Sequence, residues 1–327
     1  MNAKNCTIGV DLGGTKIKVA LVTESGSILN KLKVATPAQD GPTAVIRKIV
    51  TAVHDLLQEE GISPHCLGIG VAGQIDSAGK TVRFAPNLNW HEVPLQAELQ
   101  RELKLPVALL NDVRAATWGE WLFGAGKGCA DMVCLFVGTG IGGSVVSGGR
   151  MLDGSSNSAG ELGHMTVDLH GPLCNCGNRG CLEALAGGWA IARSAREAVT
   201  ADPTGGALLK KMAEGSVAAI TAALVARAAQ SGDPLAGQIV ARVSEALISG
   251  MVGLINAFNP ERLVLGGGVI EGLPKLVGEV ERGVKGKALQ AALAQLQVLP
   301  ALLHNDAGVI GAAAFAMQRC GTNKNPG

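Results

Sequence analysis

Apolar positions along this chain come in short runs that end in glycine. "CTIGVDL" (6–12) is of strand length, Gly-Gly-Thr-Lys turns the chain, and "IKVALV" (17–22) alternates back as an antiparallel partner. "ILNKLKVA" predicts a third strand. From Pro42 to residue 60 the apolar residues Val45, Ile49, Val53, Leu56 and Leu57 keep helical spacing. "CLGIGVAG" (66–73) and "LPVALLND" (105–112) predict further strands, the second ending in polar residues, and "VRAATWGEWLFGAG" predicts the helix after it.

The opening pattern then returns. "DMVCLFVGTGIGGSVVSGG" (131–149) reads as strand, Gly-Thr-Gly turn and returning strand, an echo of residues 7–22. Two such units about 125 residues apart predict a duplicated α/β architecture. Residues 234–258 carry the longest helical pattern, stopped by Pro260, and "RLVLGGGV" (262–269) predicts a strand that runs into glycines. Residues 306–318 predict a last helix, 200–215 a loop with a short helix, and "GTNKNPG" at the end a disordered tail. No low-complexity linker divides the chain, so a domain split has to fall inside a continuous α/β fold.

Composition narrows the partners. The 327 residues are 47% hydrophobic, enough for a large core, and 28 basic residues balance 27 acidic ones. Nucleic acid and anionic membranes have no electrostatic footprint here, and nine Trp and Phe with no Tyr argue against base-stacking platforms. The N-terminus lacks the regions of a signal peptide, and no uncharged apolar stretch reaches membrane length. The expectation is a cytoplasmic protein with no nucleic-acid or membrane partner. Of eight cysteines, five are scattered and three cluster, which is not a disulfide framework.

Three segments carry candidate chemistry. Gly-rich turns come after strands at "DLGGTK" (11–16), "VGTGIGG" (137–143) and "LGGGV" (265–269). Their backbone N–H groups suit phosphate oxygens, Thr15 and Thr139 add hydroxyls, and Asp11 is a carboxylate for Mg²⁺ through water. None matches a Walker or dinucleotide fingerprint. In "GELGHMTVDLHGPLCNCGNRGC" (160–181), Cys174, Cys176 and Cys181 with an imidazole from His164 or His170 suit tetrahedral Zn²⁺. Four protein ligands leave no open position, so the metal would be structural. Asn111 and Asp112 stand where a strand runs out, the usual ligand side of an α/β sheet. There Asp112 is either a general base toward a bound ligand or the cap of the next helix.

The turns resemble the phosphate-1, phosphate-2 and adenosine motifs of the actin and hexokinase ATPase superfamily. "GVDLGGTKIKVALV", "LLNDVRAATWGE", "VGTGIGGSVVSGG" and "GELGH…CNCGNRGCLE", in that order, resemble the ROK family (repressors, open reading frames and kinases), in its bacterial glucokinase branch, over nearly the whole chain. The resemblance implies a two-domain actin-like fold with a cleft between domains: residues 1–110 with about 303–327, and residues 111–302, which carry the zinc loop and a dimerisation surface. It implies ATP-dependent phosphorylation of a hexose, glucose first, in glycolysis, by a homodimer or homotetramer. ATP and Mg²⁺ would sit at Asp11, Gly13, Gly14, Thr15, Lys16, Gly138, Thr139, Gly140, Gly266, Gly267 and Gly268. The sugar would meet Gly73, Asn87, Asn111, Asp112, Glu161, His164 and Glu183, with Asp112 as base. His164 rather than His170 would join the three cysteines on zinc. Rival readings are an N-acetylmannosamine or N-acetylglucosamine kinase, polyphosphate as donor, and a sugar-sensing repressor. The first Gly-rich motif begins at Asp11, which leaves no room for a DNA-binding domain, and no basic run tracks a polyphosphate. The sequence departs from family habit at "NDVR", where "NDAN" is more usual. Helical geometry turns Arg114 away from Asp112, so little effect on the chemistry is expected.

Overall fold

The computed structural model describes residues 6–60 and 62–321; most of the expected tail lies outside them. The chain forms two compact units, one of residues 1–128, 151–159 and 302–327, the other of residues 129–150 and 160–301.

In the first unit, β1 (Cys6–Leu12), β2 (Lys16–Thr23) and β3 (Ile28–Ala35) form an antiparallel meander. Beyond β1 lies β4 (Leu67–Val71). A small sheet of β5 (Gln74–Ile75), β6 (Val82–Ala85) and β7 (Trp90–Val93) comes next in the chain. β8 (Val107–Asn111) then joins β4 in parallel, and the main sheet has the order β3-β2-β1-β4-β8. The alternation of strand residues separates two faces. Ile8, Val10, Leu12, Ile17, Val19 and Leu21 pack with α1 (Gly41–Glu60) and α2 (Leu95–Leu103). Ala20 and Val22 pack instead with Val309, Ile310 and Ala313 of the C-terminal helix, Ala307–Gly321.

That second face is built for close approach. A Cβ on Gly9 would lie 1.9 Å from the Val309 carbonyl oxygen, and one on Gly68 would lie 1.8 Å from that of Ala312. The C-terminal helix therefore rests on sheet backbone. α3 (Asp112–Phe123) packs on the same helix, where a Cβ on Gly311 would lie 1.7 Å from the Ala115 oxygen. This packing places α3 in the first unit. The expected division between residues 110 and 111 is thereby corrected to 128/129, and the segment 151–159 joins the first unit as well.

The second unit repeats the plan. β9 (Met132–Val137), β10 (Ile141–Ser147), β11 (Arg150–Met151), β12 (Arg262–Gly266) and β13 (Gln297–Pro300) form a sheet of order β11-β10-β9-β12-β13. As in the first sheet, a hairpin lies on one side and parallel strands on the other. The echo in the sequence is therefore a repeat of topology. Its helices include α4 (Leu182–Ala186), α5 (Gly188–Ala201), α6 (Ala207–Met212), α7 (Ala222–Gln230), α8 (Pro234–Phe258), α9 (Gly268–Gly272) and α10 (Lys275–Lys285). α8 is long and apolar enough to cross a membrane by composition, but Ile239, Val243, Leu247, Met251, Leu254 and Ile255 are buried in this unit's core. Asp233 caps it, its carboxylate accepting the Ala236 N–H at 2.7 Å.

Gly68→Ala places a methyl group against backbone that no rotamer change can move. It is expected to destabilise the protein by about 3 kcal/mol or more, read as a lower urea midpoint; an unchanged midpoint would contradict this packing.

Candidate functional site

In the first unit the strand register sets a common level. Leu12 pairs with Val71 and Val71 with Asn111, so three parallel strands run out together. Beyond their ends come the Gly-rich turn at Gly13, the segment Ala72–Gly73, and Asp112. The Gly13 N–H donates to the Lys16 oxygen at 3.1 Å, closing the turn, and the Thr36 hydroxyl donates to the Gly13 oxygen at 2.8 Å. A Cβ on Gly14 would lie 2.5 Å from the Asn87 oxygen, so the turn and Asn87 are neighbours. Lys16, Lys18 and Lys33 crowd the adjoining hairpin, and repulsion from Lys16 holds the Lys33 ammonium below its ordinary pKa. The exposed cations Lys16 and Lys33 beside a glycine turn suit a polyanion. Asp11 is ion-paired to Lys18 at 3.3 Å, so one of its oxygens already has a cation.

Asn111 turns the chain from β8 into α3. Its Oδ1 accepts the N–H groups of Val113 at 2.9 Å and Arg114 at 3.2 Å, and its amide donates to the Gly73 oxygen at 3.2 Å. Asn111, expected as a sugar ligand, is the N-cap, and Asp112 is the first residue of the helix rather than its cap. Gly73, Asn87, Asn111, Asp112 and the turn from Gly13 to Lys16 thus gather at one end of this unit.

In the second unit the Gly138–Gly140 turn is held from below. Glu183, at the start of α4, accepts the Ile141 N–H at 2.8 Å through one oxygen and the Trp189 indole N–H at 3.1 Å through the other. The N–H groups of Gly188 and Trp189 donate to the oxygens of Gly138 and Thr139. Glu183, expected to face the sugar, thus braces the Gly138–Gly140 turn through both of its oxygens. A cavity of 860 Å³ opens here, lined by Gly138, Thr139, Trp189, Thr221, Arg227 and Gly268. Gly267 holds φ 91°, and a Cβ there would lie 2.5 Å from the Val137 oxygen. Around Gly138 and Gly268 there is open space where a Cβ would stand.

The cysteine segment folds as a knuckle. Gly177 (φ 92°) and Gly180 (φ 66°) take left-handed conformations, and the Cys174 N–H donates to the Asn178 oxygen at 2.8 Å. The ligand atoms of His164, Cys174, Cys176 and Cys181 all lie within 4.8 Å of one another. Cys174 Sγ is 3.7 Å from His164 Nδ1, and Cys176 Sγ is 3.7 Å from Cys181 Sγ. These spacings fit the edges of a tetrahedron with bonds of about 2.0–2.3 Å. His170, exposed with its N–H on the Asp168 carboxylate, is outside the cluster. Burial pushes the Cys181 thiol up to about 12 and raises Cys174, while the Asn178 N–H lowers Cys176. The spacing of Glu161 is also explained. Residues Leu162–His164 form one 3₁₀ turn, with the His164 N–H on the Glu161 oxygen at 3.1 Å. One short turn joins an exposed carboxylate to a ligand of the cluster.

Sequence reasoning missed Trp189, which touches Glu183 and lines the cavity, and Thr221 and Arg227 beside it. A lone Trp at a helix start and polar residues on α7 carry no motif. It also underrated Arg114, which is buried and bonded to Asp153 and Asn157.

Comparison with known proteins agrees with this geometry. The chain is 40% identical over 315 residues to a glucokinase of Thermotoga maritima, covering 96% of this chain and 98% of that one. It is 37% identical to an N-acetylmannosamine kinase of Escherichia fergusonii, over 64% of this chain and 70% of that one. Among solved structures, a ROK family glucokinase from Streptomyces griseus in complex with glucose and AMPPNP matches at 36% identity with a TM-score of 0.82, covering 96% of this chain and 99% of that one. The family model for ROK matches residues 7–319, and this chain belongs to the ROK family, with its two-domain actin-like ATPase fold.

Proposed function

We propose that this protein transfers the terminal phosphoryl group of ATP to the 6-hydroxyl of glucose. The observation that carries the reading is the position of Asp112. It is set at the N-terminus of α3 by the Asn111 cap, at the level where β1 turns through its glycines. Similarity over nearly the whole chain to glucokinases, against 64% of it for the N-acetylmannosamine kinase, favours glucose over the N-acetyl hexosamines.

In this reading Asp112 accepts the proton of the 6-hydroxyl as that oxygen bonds to the γ-phosphorus and the bond to the β-phosphate oxygen breaks. Gly73, Asn87, Asn111, Glu161, His164 and Glu183 are the residues that bind the other hydroxyls in this reading. A carboxylate suits a sugar because it accepts two hydroxyl hydrogen bonds. Backbone N–H groups of the two Gly-Thr turns hold the phosphates, and the glycines at 266–268 take the adenosine side. Mg²⁺ accompanying the nucleotide would neutralise phosphate charge, with Asp11 as the nearby carboxylate.

The reading includes a structural Zn²⁺ at His164, Cys174, Cys176 and Cys181. The spacing of the donor atoms and the three thiols support it. The ion would tie the knuckle that leads from Glu161 to Glu183. About one zinc per chain is expected by elemental analysis, and none would overturn this part. Because Cys174 and Cys181 hold their protons more tightly than usual, binding expels protons. Zinc affinity, and the stability it confers, are therefore expected to fall as pH falls. The check is faster zinc loss to a chelator at pH 6 than at pH 8.

Two carboxylates should separate in kinetics. Asp112→Asn is expected to lower kcat roughly 10²–10⁴-fold, about 3–5 kcal/mol, while calorimetry still finds glucose bound. Glu161→Gln is expected to raise KM for glucose at least as much as it lowers kcat. If Asp112→Asn kept kcat and lost only affinity, Asp112 would be a binding residue and the mechanism would lack its base.

A further inference from the structure

Arg114 breaks two local rules. It is a cation in the first turn of α3, where the helix field favours anions, and it is 7% exposed, where arginine is rarely found without partners. Its partners come from one segment. One guanidinium nitrogen donates to the Asp153 carboxylate, and another to the side-chain and main-chain oxygens of Asn157. Asn157 in turn donates through Nδ2 to the Asp76 oxygen at 3.1 Å, and the Ala159 N–H donates to the Asp153 oxygen at 3.1 Å. Residues 151–159 are thereby bound to α3 and to the β5–β6 turn, all within the first unit. The residues on either side of this segment in the chain belong to the second unit, and Glu161 is two residues beyond it.

Local conflicts of this kind mark places where function outweighs helix propensity. A surface loop needs no buried guanidinium to remain folded, and a neutral residue would suit the first helical turn better. The arrangement does give one thing: it fixes the start of the chain that leads to Glu161 to the helix whose first residue is Asp112.

We propose that Arg114 is a positioning residue for sugar binding, holding through Asp153 and Asn157 the segment 151–159 that ends two residues before Glu161. The proposal rests on the kinase reading. In this proposal Arg114 acts through the segment it holds. Lysine at this position can meet Asp153 as a point charge but cannot span Asn157 as well.

The test is steady-state kinetics on the full chain with glucose and ATP for wild type, Arg114→Ala, Arg114→Lys, Asp153→Ala and the double alanine variant. Arg114→Ala is expected to raise KM for glucose about tenfold while KM for ATP stays within about twofold. Arg114→Lys should fall between it and wild type. The double variant should be no worse than the worse single one, because both remove one interaction. Amide exchange across 151–159 should be faster in Arg114→Ala, which reads the clamp without turnover. Should Arg114→Ala not fold, Asp153→Ala carries the same prediction, since that side chain is half exposed. Unchanged glucose KM in Asp153→Ala, equal rises in both KM values, or additive losses in the double variant would overturn the proposal. A wild-type protein that leaves glucose unphosphorylated would sink the kinase reading instead, and the exchange measurement would still decide the clamp.

Discussion

The bond from the N-terminus of α3 to the Asn111 side chain is the interaction on which the candidate site depends. A strand that ends in Asn-Asp can give either residue to the helix cap. Here Asn111 takes the two leading N–H groups and also ties itself to Gly73. A cap of this kind is worth about 1 kcal/mol, a small part of the stability. Its larger consequence is positional, because Asp112 is left as the first residue of the helix. The register of β1, β4 and β8 brings that residue to the same level as the first glycine turn.

The second unit solves a similar problem with different parts. Its turn at Gly138–Gly140 belongs to a hairpin of the same topology, but its brace is Glu183, bonded to Ile141 and Trp189. The Cys174–Cys181 knuckle comes immediately before that glutamate in the chain, and Glu161 precedes His164 by one short turn. The repeated sheet thus supplies two glycine turns, and Glu161 and Glu183 flank the cysteine cluster in the chain.

Much of this was legible in the residues. The 3–4 spacing of α8 is a strong periodic signal, and the structure gives α8 the expected bounds, Pro234–Phe258. The cysteine spacing likewise specified a cluster, and the structure brings His164 to it rather than His170. β6 and β7 were not legible. Each has four residues with only its end residues buried, a pattern too short for either period to show. The division of the chain was misplaced because the attachment of α3 depends on Gly119 and Gly311 meeting backbone that is nearly 200 residues distant in the chain. Arg114 was read by helical direction alone, which says nothing of a partner segment some 40 residues on. Asn111 was read from resemblance as a sugar ligand; its capping of α3 was not read, because capping was weighed only for Asp112.

The central claim is that Asp112 takes the proton of the sugar 6-hydroxyl. The most direct measurement is a crystal structure of the wild-type protein with glucose and a non-hydrolysable ATP analogue. The account predicts the glucose O6 within about 2.6–3.2 Å of an Asp112 carboxylate oxygen, on the side facing the γ-phosphate. Glucose bound with O6 turned toward another group, and Asp112 out of hydrogen-bonding reach of it, would contradict the account.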